Sequence, residues 1–132
     1  MNLNKNNILT LAYINVHGQS KMTEAKQLQI EDFMKFNKID IAHLQEIEIS
    51  EETFSTCNFI SSNYYIVTNN ATNKYGTGSL VKNELSVQNI KCDTAGRALF
   101  FDVGSLTFGN LYAHSGTDGR SRADREHFYS EV

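Results

Sequence analysis

The sequence predicts an α+β protein built from one βαβ unit, a run of antiparallel strands and a closing helix. Two observations carry that prediction. An apolar strand pattern, a helical pattern and a second apolar strand follow one another between residues 7 and 45. After Glu48 the periodicity changes to short β-rich runs separated by turn clusters.

The first strand is "NILTLAYINV", residues 7–16, rich in Ile, Leu, Tyr and Val and therefore largely buried. "HGQSKM" breaks it. In the helix over 23–37, Ala25, Leu28, Ile30, Phe33, Met34 and Phe36 recur at mostly helical spacing. Thr23 or Ser20 caps its start and Asn37 suits its end. "IDIAHLQ", 39–45, is the second strand. If the two strands are neighbours in one sheet they run parallel, joined by a right-handed crossover. "NYYIVTNN", "GTGSLVKN", "LSVQNIKC", "RALFFDVG" and "LTFGNLYAH" then read as antiparallel hairpins. "SRADREHFYSEV", 121–132, reads as a helix, with Ser121 and Asp124 near capping-box spacing. The antiparallel strands need a second layer over their free face, and no segment obviously supplies it.

The bulk properties narrow the function. The 132 residues suffice for one domain with a modest core. With 15 acidic and 12 basic residues the net charge is -3, which argues against gripping nucleic acid by bulk charge alone. An enzyme that meets phosphate through a bound cation stays open. No stretch approaches the apolar length of a membrane span, so no membrane partner is expected. The N-terminus lacks a secretory pattern, and Cys57 and Cys92 lack metal or redox spacing. Reduced cysteines in an intracellular protein are the expectation.

Three polar residues stand at or near the ends of apolar strands. Asn15 closes the first, Glu46 closes the second, and Tyr112 lies near the end of the last. Parallel strands put Asn15 and Glu46 at the same edge of the sheet, where ligands collect in such folds. Period two places Asn15 with Tyr13 and Leu11, and Glu46 with Leu44 and Ala42. An Asn and a carboxylate at one edge suit Mg²⁺, which takes only one or two protein carboxylates and keeps waters for a phosphate. A nearby Tyr hydroxyl can donate to a phosphate oxygen or carry a proton. The plain alternative is that Glu46 is a solvated strand end.

"LAYINVHG", "IDIAHLQEIE", "GTGSLVK", "GRALFFDV" and "LTFGNLYAHSG" together resemble the endonuclease/exonuclease/phosphatase superfamily from Ile8 onward. In that family a strand ending in Asn is followed by a helix, a strand ending "LQE" and later a strand carrying N-x-Y. "NLYAHSGTDGRSRADREHFYSEV" is most similar to the endonuclease domains of LINE-type (non-LTR) retrotransposons. The resemblance implies the N-terminal half of a two-sheet α/β sandwich of the DNase-like fold, with residues 1–132 a partial domain truncated before its second half.

It further implies Asn15, Glu46 and Tyr112 as catalytic residues, with Glu46 and Asn15 at the metal. Asn110 and Ser115 follow as substrate-binding residues. The cofactor would be Mg²⁺ or Mn²⁺, and the reaction hydrolysis of a DNA phosphodiester. DNA and a reverse transcriptase domain in the same polyprotein would be the partners, and the nucleus the location. The family's D-x-N strand and terminal Asp-His pair are missing, so the chain is expected to lack the general base and to be inactive alone. A catalytically inactive remnant, or another phosphoesterase of the superfamily, are the alternative readings. One local departure is His114, where the family usually has Pro, in a chain without proline. His43 reads as a packing residue rather than a base. His114 and His127 read as loop and solvated helix residues, and Arg120, Arg122 and Arg125 as a solvated helix start as readily as a DNA contact.

Overall fold

The computed structural model describes residues 8–19, 22–47, 52–69, 76–94 and 97–112. The βαβ unit is present: β1 (Leu11–Gln19), α1 (Glu24–Asn37) and β2 (Ile41–Ile47), with β1 and β2 parallel from Leu11↔Ile41 to Asn15↔Gln45. A short helix follows, α2 (Asn58–Asn63), then β3 (Tyr64–Asn69), β4 (Gly76–Lys82), β5 (Val87–Cys92), β6 (Ala98–Val103) and β7 (Leu106–Leu111). The sequence pattern gave no sign of α2, whose six residues are too few to show a helical period. The helix expected over 121–132 lies outside the described residues.

The later strands do not form one continuous meander. The β3–β4 hairpin joins the βαβ unit in a four-stranded sheet of order β1-β2-β4-β3, while β5-β6-β7 form a separate antiparallel sheet. That corrects the expectation of an uncovered face in part. β7 lies over β2 and β4, and β6 over β3 and β4, while the inward Tyr13 and Leu11 of β1 are left exposed. The apolar periodicity cannot show this, because it fixes which face of a strand is buried but not which sheet the strand joins.

Thr23 is the helix cap: its Oγ1 accepts from the Lys26 amide at 3.2 Å. Lys38 closes the helix in the left-handed region, φ 52°. Only Ile30 and Met34 on α1 are buried, one turn apart, whereas Leu28, Phe33 and Phe36 are exposed, Phe36 by 86%. The helix therefore presents a narrower stripe than its sequence suggests. That stripe belongs to a core with Ala12, Val16, Ala42, Leu44, Phe54, Ile60 and Leu80 on the outer face of the four-stranded sheet. A second core lies between the sheets, built from Ile41, Val67, Val81, Leu99, Phe101 and Val103.

One edge of the four-stranded sheet is held by charge. Buried Asp40 accepts from the Thr10 amide at 2.7 Å and pairs with Lys82 Nζ at 3.5 Å. Asp40 precedes β2, so it stands at the opposite end of that strand from Glu46. Its carboxylate belongs to the scaffold.

Candidate active site

β1 and β2 run side by side toward the other edge, and their regular pairing ends there. After Asn15↔Gln45 the next pair is Gln19↔Ile47, four residues against two. Between β2 and β4, Gln45↔Thr77 is followed by Ile47↔Gly76, so Glu46 is an extra residue on β2. That is a β-bulge, a device that bends a strand and re-aims its side chains, often beside active sites. The strict period that groups Glu46 with Leu44 and Ala42 is therefore broken at Glu46. The Glu46 side chain itself lies outside the described residues.

Asn15 is exposed. Its grouping with Leu11 and Tyr13 places it on the face turned toward the second sheet, since Tyr13 stacks on His43 with centroids 4.7 Å apart. Tyr112 follows β7 directly, is half-buried, and its amide donates to the Arg97 carbonyl at 2.8 Å. Gln45 joins the two halves of this edge: its Nε2 donates to the Leu111 carbonyl at 2.8 Å and to Asn110 Oδ1 at 3.3 Å. The chain positions of Asn15, Glu46 and Tyr112 thus converge on one edge, with Gln45 between them.

Asn110, expected beside the substrate, is fully buried. Its Nδ2 donates to the Leu44 carbonyl at 3.2 Å and the Gly78 carbonyl at 3.0 Å. Ser115, His114, His127 and the three arginines at 120, 122 and 125 lie outside the described residues.

Further polar groups line the same edge. Asn69 Nδ2 donates to Asp93 Oδ1 at 2.9 Å and to the Ala98 carbonyl at 2.7 Å. Asp93 Oδ1 also accepts from the Arg97 and Ala98 amides at 2.9 and 3.0 Å, which fixes the start of β6. Thr77 is buried between Asn69 and Gln45 in the strand pairing, and its hydroxyl has no partner among the described residues.

His43 is not part of this surface. It is fully buried between the sheets, Nδ1 2.7 Å from Ser79 Oγ, with the Phe101 and Phe108 rings nearby. Burial pushes its pKa from 6.5 down to about 4, so it is neutral at neutral pH and serves as packing, in line with the sequence reading.

Among the described residues no group of three or more His, Cys, Asp or Glu could hold a metal ion. An Asn and a Glu by residue type, at positions 15 and 46 of this edge, form an all-oxygen donor pair, which in donor chemistry suits a hydrated Mg²⁺. No described helix is long and apolar enough to cross a membrane.

No protein-family model matches the sequence, and no curated protein does. Solved structures do. An AP endonuclease from Archaeoglobus fulgidus superposes with a TM-score of 0.66 at 15% identity, over 93% of this chain and 49% of that one. Truncated TDP2 from Caenorhabditis elegans gives 0.61 at 19%, over 93% and 52%. The chain has a partial DNase I-like fold. It spans about half the length of these structures, and at such identities the likeness concerns the fold alone.

Proposed function

We propose that this edge is the catalytic edge of a Mg²⁺-dependent DNA endonuclease domain of the LINE-type retrotransposon kind. The observation that supports it best is the convergence of Asn15, the Glu46 bulge and Tyr112, which Gln45 ties together. They lie on a fold shared with an AP endonuclease. The residues after Tyr112 favour the LINE-type resemblance, and with it DNA and a reverse transcriptase domain as partners and the nucleus as location.

In that role the Glu46 carboxylate holds the cation and Asn15 orients the scissile phosphate. The Tyr112 hydroxyl donates to the oxygen on which charge develops, a stabilisation largest in the transition state. A bound Mg²⁺ supplies Lewis-acid neutralisation of the phosphate. His43, sealed between the sheets, is not placed to act as a general base.

A second reading is a catalytically inactive remnant. It is favoured by β1, whose inward Tyr13 is 58% exposed and Leu11 37%, a strand that the second sheet leaves partly uncovered. Nicking of supercoiled plasmid with Mg²⁺ separates the two readings. The chain alone is compared with a form extended through the downstream coding sequence and with that form carrying Glu46→Ala. Nicking by the extended form that Glu46→Ala abolishes is expected. No nicking by the extended form, or nicking indifferent to Glu46→Ala, would reject the proposal.

A further inference from the structure

We propose that Gln45 and Asn110 are positioning residues that together fix the spacing between Glu46 and Tyr112. This rests on the reading of the edge as a cation-dependent site. Each of the two precedes a candidate catalytic residue: Gln45 is followed by Glu46, and Asn110 by Leu111 and then Tyr112.

Their bonds run in both directions between the sheets. From β7, Asn110 Nδ2 reaches the Leu44 carbonyl on β2 and the Gly78 carbonyl on β4. From β2, Gln45 Nε2 returns to Asn110 Oδ1 and the Leu111 carbonyl. Residues 44–45 are thereby clasped to 110–111. The clasp sits at the last regularly paired position of β2. One step further, the bulge leaves Glu46 outside the regular ladder, so its placement relative to Tyr112 is inherited from the residue before it.

Packing alone does not account for these side chains. Asn110 shares the inner face of β7 with Phe108, and a buried amide at such a position is costly unless bonded. A Leu would fill the space without that requirement. Directional bonds, unlike apolar contacts, set a spacing and a register between sheets.

The test is Mn²⁺ binding to the 132-residue chain, followed by the electron paramagnetic resonance signal of free Mn²⁺. The variants are Glu46→Gln, Gln45→Met, Asn110→Leu, and Ile30→Val as a mildly destabilised control on α1. Glu46→Gln is expected to abolish binding. Gln45→Met and Asn110→Leu should weaken it about tenfold or more, with the Gln45→Met urea midpoint near that of the parent and Ile30→Val binding as the parent does. Amide exchange at Tyr112 should quicken in Gln45→Met. If Asn110→Leu fails to fold, half-exposed Gln45 decides. Glu46-dependent binding that Gln45→Met leaves unchanged would overturn the positioning role while leaving the proposed function standing. Absence of Glu46-dependent binding in the parent would overturn both.

Discussion

His43 makes the fold acid-sensitive in a defined window. Its imidazole is fully buried against Tyr13, Phe101 and Phe108, with one nitrogen on Ser79 and Nε2 unpartnered among the described residues. A proton on that ring would be a charge without a counter-ion among the described residues, and burial lowers the pKa from 6.5 to about 4. The unfolded chain takes up the proton as pH falls through 6.5, but the folded chain does not until about 4. Stability is therefore full above pH 6.5 and declines between 6.5 and 4, by about 3 kcal/mol at the lower limit. Set against a typical total of roughly 5–15 kcal/mol, that is a large share. Asp102 also has a lowered pKa, through hydrogen bonds from Thr107 and Asn89. Its contribution is lost only below the ordinary carboxylate pKa, so the windows barely overlap.

The assay is urea unfolding at intervals from pH 7.5 to 4, for the parent and for His43→Leu. The variant is expected to be less stable at pH 7, where Ser79 loses its imidazole partner and keeps only the long contact from Asn110 Nδ2 at 3.4 Å, and to lose less stability on acidification. The difference between the two curves should change by about 3 kcal/mol across the window. Parallel curves, or an imidazole of His43 that titrates near 6.5 by NMR, would refute the reasoning.

Three further outcomes follow from the packing and burial. Met34→Ala should cost about 2–5 kcal/mol in urea unfolding, because Met34 is fully buried where α1 meets the sheet. A Cβ on Gly109 would lie 2.8 Å from Phe100 Cε1, so Gly109→Ala should cost about 1–3 kcal/mol, and a double-mutant cycle should remove most of that cost in a Phe100→Ala background. Tyr64, pushed up to about 12 by burial and then by Asp40 and Glu84, should be the last phenol to ionise in an ultraviolet titration. Its contribution to stability holds below pH 10 and is lost as pH rises toward 12.

The parts of this fold legible in the sequence are those governed by local pattern. The βαβ unit, the Thr23 cap and the strands from β3 to β7 follow from periodicity and turn chemistry. The division of the later strands between two sheets does not, because nothing in the alternation of "GTGSLVK" tells it to pair with β2. The apolar stripe of α1 is narrower than the residue types suggest for a different reason: Phe36 is two residues from Met34, about 200° round the helix, so it falls off the Ile30–Met34 face and is exposed. At the site, the meeting of Asn15 and Glu46 at one sheet edge is visible once β1 and β2 are taken as parallel. The bulge at Glu46 is not visible, since it comes from pairing with β4, some thirty residues away. Gln45 and Asn110 were missed as a pair because hydrogen bonds spanning 65 residues leave no local signal.

The central claim is that Glu46 and Asn15 bind a cation at the edge that Tyr112 shares. Paramagnetic broadening of backbone amide signals by Mn²⁺ tests it most directly. Amides of Asn15, Glu46 and Tyr112 should broaden first, and Glu46→Gln should abolish the effect. Broadening centred on the acidic residues of α1 or on Asp102, or broadening that Glu46→Gln leaves intact, would contradict it.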